Sequence, residues 1–264
     1  MSIRVRQIAG MCVLTTLLSA CGTAADLPRW QWGAPSPEAP QASPTVPIVE
    51  DHEVPKSGSG IFAVADGTGE VIGRGGEPIT FRVEVETGID WGDVEPVTPD
   101  DFADTIDTVF KDPRSWAGST QHPVTVPDQG VTNASWRFRR VDGEVYKVRV
   151  RLATPNTVDQ QCAAAGLDTE GKYSCRYNDT IMVNLGRWLQ GLPESGSLDE
   201  YRASVINHEM GHFLGFVHQK CSGSGNLAPV MMQQSMGLDG CLPNAWPFTE
   251  EGEFVTGPRV PGEY

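Results

Sequence analysis

The 264-residue sequence predicts an α+β fold. Two alternating apolar runs read as strands, and two well-capped amphipathic segments read as helices. They interleave along the chain without an internal repeat. Hydrophobic residues make up 39% of the chain, enough for a sizeable core at this length.

The fold has to be separated from a targeting segment. Arg4 and Arg6 precede an apolar run from Ile8 to Ala20, which is short for a membrane span. The run ends in "LLSACG", and Leu18, Ser19 and Ala20 before Cys21 resemble the bacterial lipobox. Residues 1–20 are therefore expected to be a lipoprotein signal peptide, with Cys21 lipidated and holding the chain outside the membrane. Residues 21–58, rich in Pro, Ala and Ser, read as an extended tether in which His52 is a bystander. The folded domain is expected over 59–264, as a monomer.

Within it, "IFAVADGTGEVIG" predicts a hairpin turning at Asp66-Gly67. Its glycines read as turn residues, since their spacing makes no convincing phosphate loop. In "ITFRVEVE", Ile79, Phe81, Val83 and Val85 share one face. "VTPDDFADTIDTVFKD" predicts a helix capped by Thr98, with Pro99 in its first turn and Phe102, Ile106, Val109 and Phe110 on one stripe. "VYKVRVRLAT" alternates again, with Tyr146, Val148, Val150 and Leu152 inward and its cations facing water. "DTIMVNLGRW" predicts a strand ending in a turn. Finally, Ser197 and Glu200 form a capping box ahead of a helix from about Leu198 to Leu214, which Gly215 ends.

Net charge is −14, so the chain lacks the basic footprint that nucleic acid requires. Beyond Cys12 and Cys21, four cysteines remain: Cys162, Cys175, Cys221 and Cys241. An exported chain with an even number suggests disulfides. Of the three connectivities, sequence proximity favours Cys162–Cys175 and Cys221–Cys241. No pair has the C-x-x-C spacing of a zinc-thiolate site.

The last helix carries the chemistry in "NHEMGHFLGFVH". His208 and His212 lie one turn apart on one face, where two imidazoles can share an ion. After Gly215 the chain turns back and His218 approaches from another direction. Three neutral ligands leave a fourth position for water and keep the ion's full charge. Glu209, rotated about 100° from His208, is placed to act as a general base and not as a ligand. His122 lies outside this pattern, in a loop.

His208-Glu209-x-x-His212-x-x-Gly215-x-x-His218 resembles the signature of metzincin zinc metalloproteases. That resemblance implies one zinc ion per chain, a peptide or protein substrate, and a methionine turn beneath the metal. "APVMMQQS" offers Met231 or Met232 for the turn, and Met231 is favoured. Gln233 and Gln234 stand where some metzincins place a tyrosine ligand.

A closer similarity, over about Gly60 to Pro247, is to an uncharacterised family of exported actinobacterial proteins. It runs through "DPRSW", "YSCR", "NLGRW", "YRASVINHEMGHFLGFVH" and "APVMMQQSMGLDGCLPNAWP". These likenesses imply a metzincin-like mixed, twisted sheet packed on the active-site helix, a small C-terminal subdomain, and "TIMVNL" as a cleft-edge strand. The expected function is that of a membrane-anchored extracytoplasmic zinc endopeptidase. A non-enzymatic zinc-binding envelope lipoprotein and a zinc hydrolase acting on cell-wall peptide or amide are the alternatives. Glu209 weighs against the first, because a structural site needs no base.

Overall fold

In the computed structural model, which describes residue 51 and residues 53–262, the two alternating runs lie side by side within a six-stranded mixed sheet. The elements run β1 (Phe62–Val64), β2 (Ile79–Glu86), α1 (Pro99–Lys111), β3 (Val124–Val126), β4 (Val131–Ala134), β5 (Phe138–Arg140), β6 (Val148–Ala153), α2 (Pro155–Ala164), β7 (Cys175–Tyr177), β8 (Thr180–Asn184), α3 (Leu185–Gln190) and α4 (Leu198–Phe213). Sheet order is β1-β2-β6-β8-β7, with β5 sharing β2's outer side with β1. β2, β5, β6 and β8 are parallel, and β1 and β7 run antiparallel to their neighbours. β3 and β4 form a separate two-stranded ribbon. The signal segment, Cys21, most of the tether and His52 lie outside the described residues.

Register sets the layers. Phe81 pairs with Val148, while Val83, Val150 and Ile181 align, as do Val85, Leu152 and Val183. This face is buried in one cluster with the apolar stripe of α1 and with Val205, Ile206 and Met210 of α4. α1 starts as expected: Thr98 and Asp101 form a full capping box with Pro99 at the helix start. The opposite face receives α2 through Val158, Cys162, Cys175 and Met182.

That opposite face is not simply solvated. Glu84 is 2% exposed and gripped by Arg82 and Arg151 at 2.9 and 2.6 Å. Tyr146 is only half-buried and stands before β6, its ring beside the guanidinium groups of Arg82 and Arg149. Alternation shows which side is apolar and does not reveal that the other side is covered too.

Other local expectations need correction. Residues 61–73 do not form a hairpin. β1 pairs with β2, and Ile72 bridges to Phe138, because the long alternating strand offers a better partner than a short glycine-flanked run. β8 does not end in a turn but enters α3, capped by Asn184 accepting from Gly186 N. Nor is β8 the sheet edge. β7 lies outside it, joined by the two-residue turn Asn178-Asp179 with Asn178 at φ 48°. The folded unit also starts before residue 59. Val54 is buried beside Gly186, and the main-chain carbonyl of Lys56 accepts from Asn156 N. Composition alone assigned residues 54–58 to the tether.

Both disulfides pair as proximity suggests, Cys162–Cys175 and Cys221–Cys241. They suggest an extracellular environment. No helix among the described residues is long and apolar enough to cross a membrane. The first disulfide ties α2 to edge strand β7. Cys162→Ala/Cys175→Ala is expected to lower unfolding free energy by about 3 kcal/mol in urea titration. A loss below about 1 kcal/mol would show that the bridge barely restrains the unfolded chain.

Past Gly215 the described chain has no further strand or α-helix. Isolated bridges, Gln219 with Arg259, Leu227 with Leu242, and Phe248 with Phe254, hold it in place. Asn244 Nδ2 donates to the carbonyls of Ala228 and Trp246, fastening this segment around the second disulfide.

Candidate metal centre

α4 delivers two of the three histidines. Ser197 Oγ accepts from Glu200 N, the expected half of the capping box, while the Glu200 carboxylate accepts from the Trp246 indole. Gly215 takes φ +100°, a conformation costly for other residues, and its N–H closes the helix on the His212 carbonyl. The chain then reverses. Phe216 stacks on Trp116 with ring centres 4.9 Å apart, and Val217 N donates to Gln129 Oε1 at 3.0 Å. His218 is thereby brought back over α4.

The three imidazoles converge. His212 Nε2 lies 3.2 Å from His208 Nε2 and 3.1 Å from His218 Nε2. His208 Nδ1 contacts the Val230 carbonyl at 2.8 Å, and His212 Nδ1 contacts the Phe216 carbonyl at 2.9 Å. A carbonyl only accepts, so both Nδ1 atoms carry hydrogen and, in the neutral rings, both Nε2 atoms present lone pairs. Burial, reinforced by the neighbouring imidazoles, holds His208 well below the usual histidine range and keeps it neutral. Lone pairs this close repel unless a cation lies among them. Two nitrogens each about 2.0–2.1 Å from one tetrahedral ion would sit about 3.3 Å apart, close to the separations seen. The donor set fits zinc in type, number and spacing. The carbonyls on the far ring nitrogens are the customary outer support of such ligands.

Glu209 does not belong to the convergent set, which comprises the three histidines. Its side chain is 6% exposed and makes no hydrogen bond to another described residue. Burial pushes its carboxyl up to about 8, against the pull of the Arg176 guanidinium. It lines the same cleft as the histidines, a cavity of ≈ 740 Å³. The cleft is lined by α4, by β7 and the segment before it from Leu167, by the return from Gly215 to His218, and by Val230 with residues 232–236.

Met231 and Met232 are separated by their surroundings. Met232 N donates to the Pro229 carbonyl, closing a turn that presents Met231 inward. Met231 is 1% exposed and lies directly against Gly211 of α4, whereas Met232 packs near Ala228 and Cys241. His122 sits apart, beside Gly252 and Phe248.

Sequence reading passed over the groups that hold α4 in place. Asn207 is fully buried. Its Oδ1 accepts from Ser115 Oγ at 2.7 Å, its Nδ2 donates to the Ala245 carbonyl at 3.0 Å, and its own carbonyl accepts from Trp116 Nε1 at 2.8 Å. Ser115 and Trp116 come from "DPRSW", a visible motif whose partner lies over ninety residues away. Arg176, Arg187 and Tyr201 also line the cleft.

Fold and site together define an α+β domain with a three-histidine cluster at the floor of an open cleft. The chain belongs to a family of proteins of unknown function (DUF3152), whose family model matches residues 48–242. No curated protein and no solved structure matches it.

Proposed function

We propose that this chain is a zinc-dependent endopeptidase of metzincin type, lipid-anchored through Cys21 and working outside the membrane. One observation carries the reading: three imidazole Nε2 atoms meet beside a buried, unpaired carboxylate in an open cleft. A divalent ion held by His208, His212 and His218 supplies Lewis acidity toward a carbonyl and acidifies water. Such a charge nearby also favours ionised Glu209 over the neutral form that burial prefers.

Each residue then has a task. His208 and His212 keep their Nε2 lone pairs aimed inward through the carbonyls of Val230 and Phe216. Glu209 takes a proton at its carboxylate as water attacks the scissile carbonyl, then passes it to the leaving amine. β7, the open edge of the sheet beside α4, offers main-chain groups to an extended peptide, which would add as a further strand. An open cleft supports cleavage within a chain, and a base beside the ligands supports an enzyme over a structural site.

The test is metal content and digestion together. The full chain is expected to carry one zinc, and to cleave a mixed peptide library until a chelator is added. A chain with no zinc after gentle preparation refutes the site. A zinc-loaded chain that leaves every peptide intact refutes the endopeptidase reading and points to the cell-wall amide or binding alternatives.

A further inference from the structure

The chain has a net charge of −14, yet its cleft wall carries two arginines. Arg176 enters from β7. It pairs in register with Ile181, so it shares the sheet face that α4 covers, and its guanidinium stands 6.0 Å from the Phe213 ring. Arg187 enters from α3, beside Tyr201 near the start of α4. Both are half-buried, and neither makes an ion pair or side-chain hydrogen bond with another described residue. Arg176 Nε is buried with no acceptor.

Several arginines elsewhere in the fold are paired, although Arg139, also half-buried, makes no ion pair or side-chain hydrogen bond with another described residue. Arg82 and Arg151 hold Glu84, Arg114 holds Asp112, and Arg140 holds Asp107. A guanidinium taken partly out of water without a direct ion pair is costly, and here the cost falls twice along one cleft. Neither carboxylate that also lines it makes an ion pair with these arginines, although Glu209 feels the Arg176 charge. Asp168, exposed at the rim, accepts from Glu170 N, and Glu209 stands beside the histidines.

The cleft is graded along α4. Tyr201, Ser204, Val205, His208 and Glu209 line its floor in sequence. Seven residues of helix place Tyr201 about 10 Å from His208 along the axis. Arg176 therefore serves the part of the cleft next to the histidines, and Arg187 the part toward the helix start. Leu167 and Met236 add exposed apolar side chains to the cleft lining.

We propose that this cleft selects acidic peptides, receiving substrate carboxylates at two places, one on Arg176 next to the histidines and one on Arg187 toward the helix start, through charge-assisted hydrogen bonds. The proposal rests on reading the cleft as peptide-binding and adds its substrate class. Long-range charge works the other way, because an acidic protein repels acidic peptides. A preference for them therefore has to arise locally.

The test separates binding from hydrolysis. Peptides of about ten residues, blocked at both ends, carry one Glu moved position by position, and a matched set carries Gln. A third set leaves the C-terminal carboxylate free, distinguishing a terminal from a side-chain source. Each is titrated by fluorescence anisotropy against the full chain stripped of metal, so that no turnover intervenes. At the favoured position Glu, or the free terminus, is expected to bind about tenfold to a hundredfold tighter than its neutral counterpart. Arg176→Gln reduces that ratio for a Glu seated next to the histidines and Arg187→Gln for one seated toward the helix start, and Arg→Lys variants retain part of it. Unchanged melting temperatures show that the variants fold.

Equal binding of charged and neutral peptides overturns the proposal. So does a preference that survives both substitutions, or no peptide binding at all. Digestion with zinc restored separates the two readings. Cleavage indifferent to acidic residues keeps the peptidase and discards the selectivity. Acid-selective binding without cleavage does the reverse.

Discussion

Glu209→Gln is expected to keep its zinc and to hydrolyse peptides about a hundredfold to ten-thousandfold more slowly than the parent chain. Glutamine matches the shape of glutamate and cannot accept the proton. Zinc retention follows from the geometry. Glu209 lies outside the set of convergent ligand atoms, and the supports of His208 and His212 are carbonyls of Val230 and Phe216, which the substitution does not touch. His212→Ala is the contrasting variant. It removes the imidazole whose Nε2 lies within 3.2 Å of both others, so zinc and activity are lost together. Metal analysis and library digestion on the same preparations give the answer. An active Glu209→Gln chain would refute the base assignment, and one that loses zinc would make Glu209 a ligand.

The sequence displayed the histidine cluster because its geometry is local. Four residues make a helical turn, one glycine ends the helix, and the third histidine follows within a few residues. The same locality made α1, α4 and both disulfides legible: caps, apolar stripes and short cysteine separations are written in neighbouring residues. What surrounds the cluster is not local. Asn207 meets Ser115 and Trp116 from across the fold, and Arg176 reaches the cleft only because β7 is the edge strand.

The sheet repeats that lesson. Period-two patterning in β2 marked an apolar face, but the partner of β1 depended on pairing between distant segments. The edge was misplaced for a related reason. β7 is three residues long and carries little pattern, although the Asn178-Asp179 pair beside it was a turn signal. The cations of β6 are expected to face water, yet Arg151 joins Arg82 in closing over buried Glu84. Burial of the second face depends on what other segments do, and alternation within one strand does not record that.

The second large effect is expected at Gly211. A Cβ added there would lie 2.2 Å from Met231 Sδ and 2.9 Å from Trp116 Cζ2, so something must move. Trp116 is anchored by its indole on the Asn207 carbonyl and by its stack on Phe216. Met231 is 1% exposed, and its carbonyl is held by Gln219 N at 3.0 Å. Helix propensity alone would make Gly211→Ala stabilising by about 1 kcal/mol. Overpacking against two restrained side chains opposes it at about 1–3 kcal/mol, so a net loss is expected. The displacement also reaches the ligands. Val230, which supports His208, adjoins Met231, and Phe216, which supports His212, rests on Trp116. Zinc affinity, read by chelator competition, should fall about tenfold to a hundredfold. Met231→Ala in the Gly211→Ala background removes the obstructing sulfur and should restore affinity beyond the sum of the single effects, although the vacated space costs stability. If Gly211→Ala instead proves more stable with unchanged zinc affinity, then Met231 yields freely and does not brace the histidine helix.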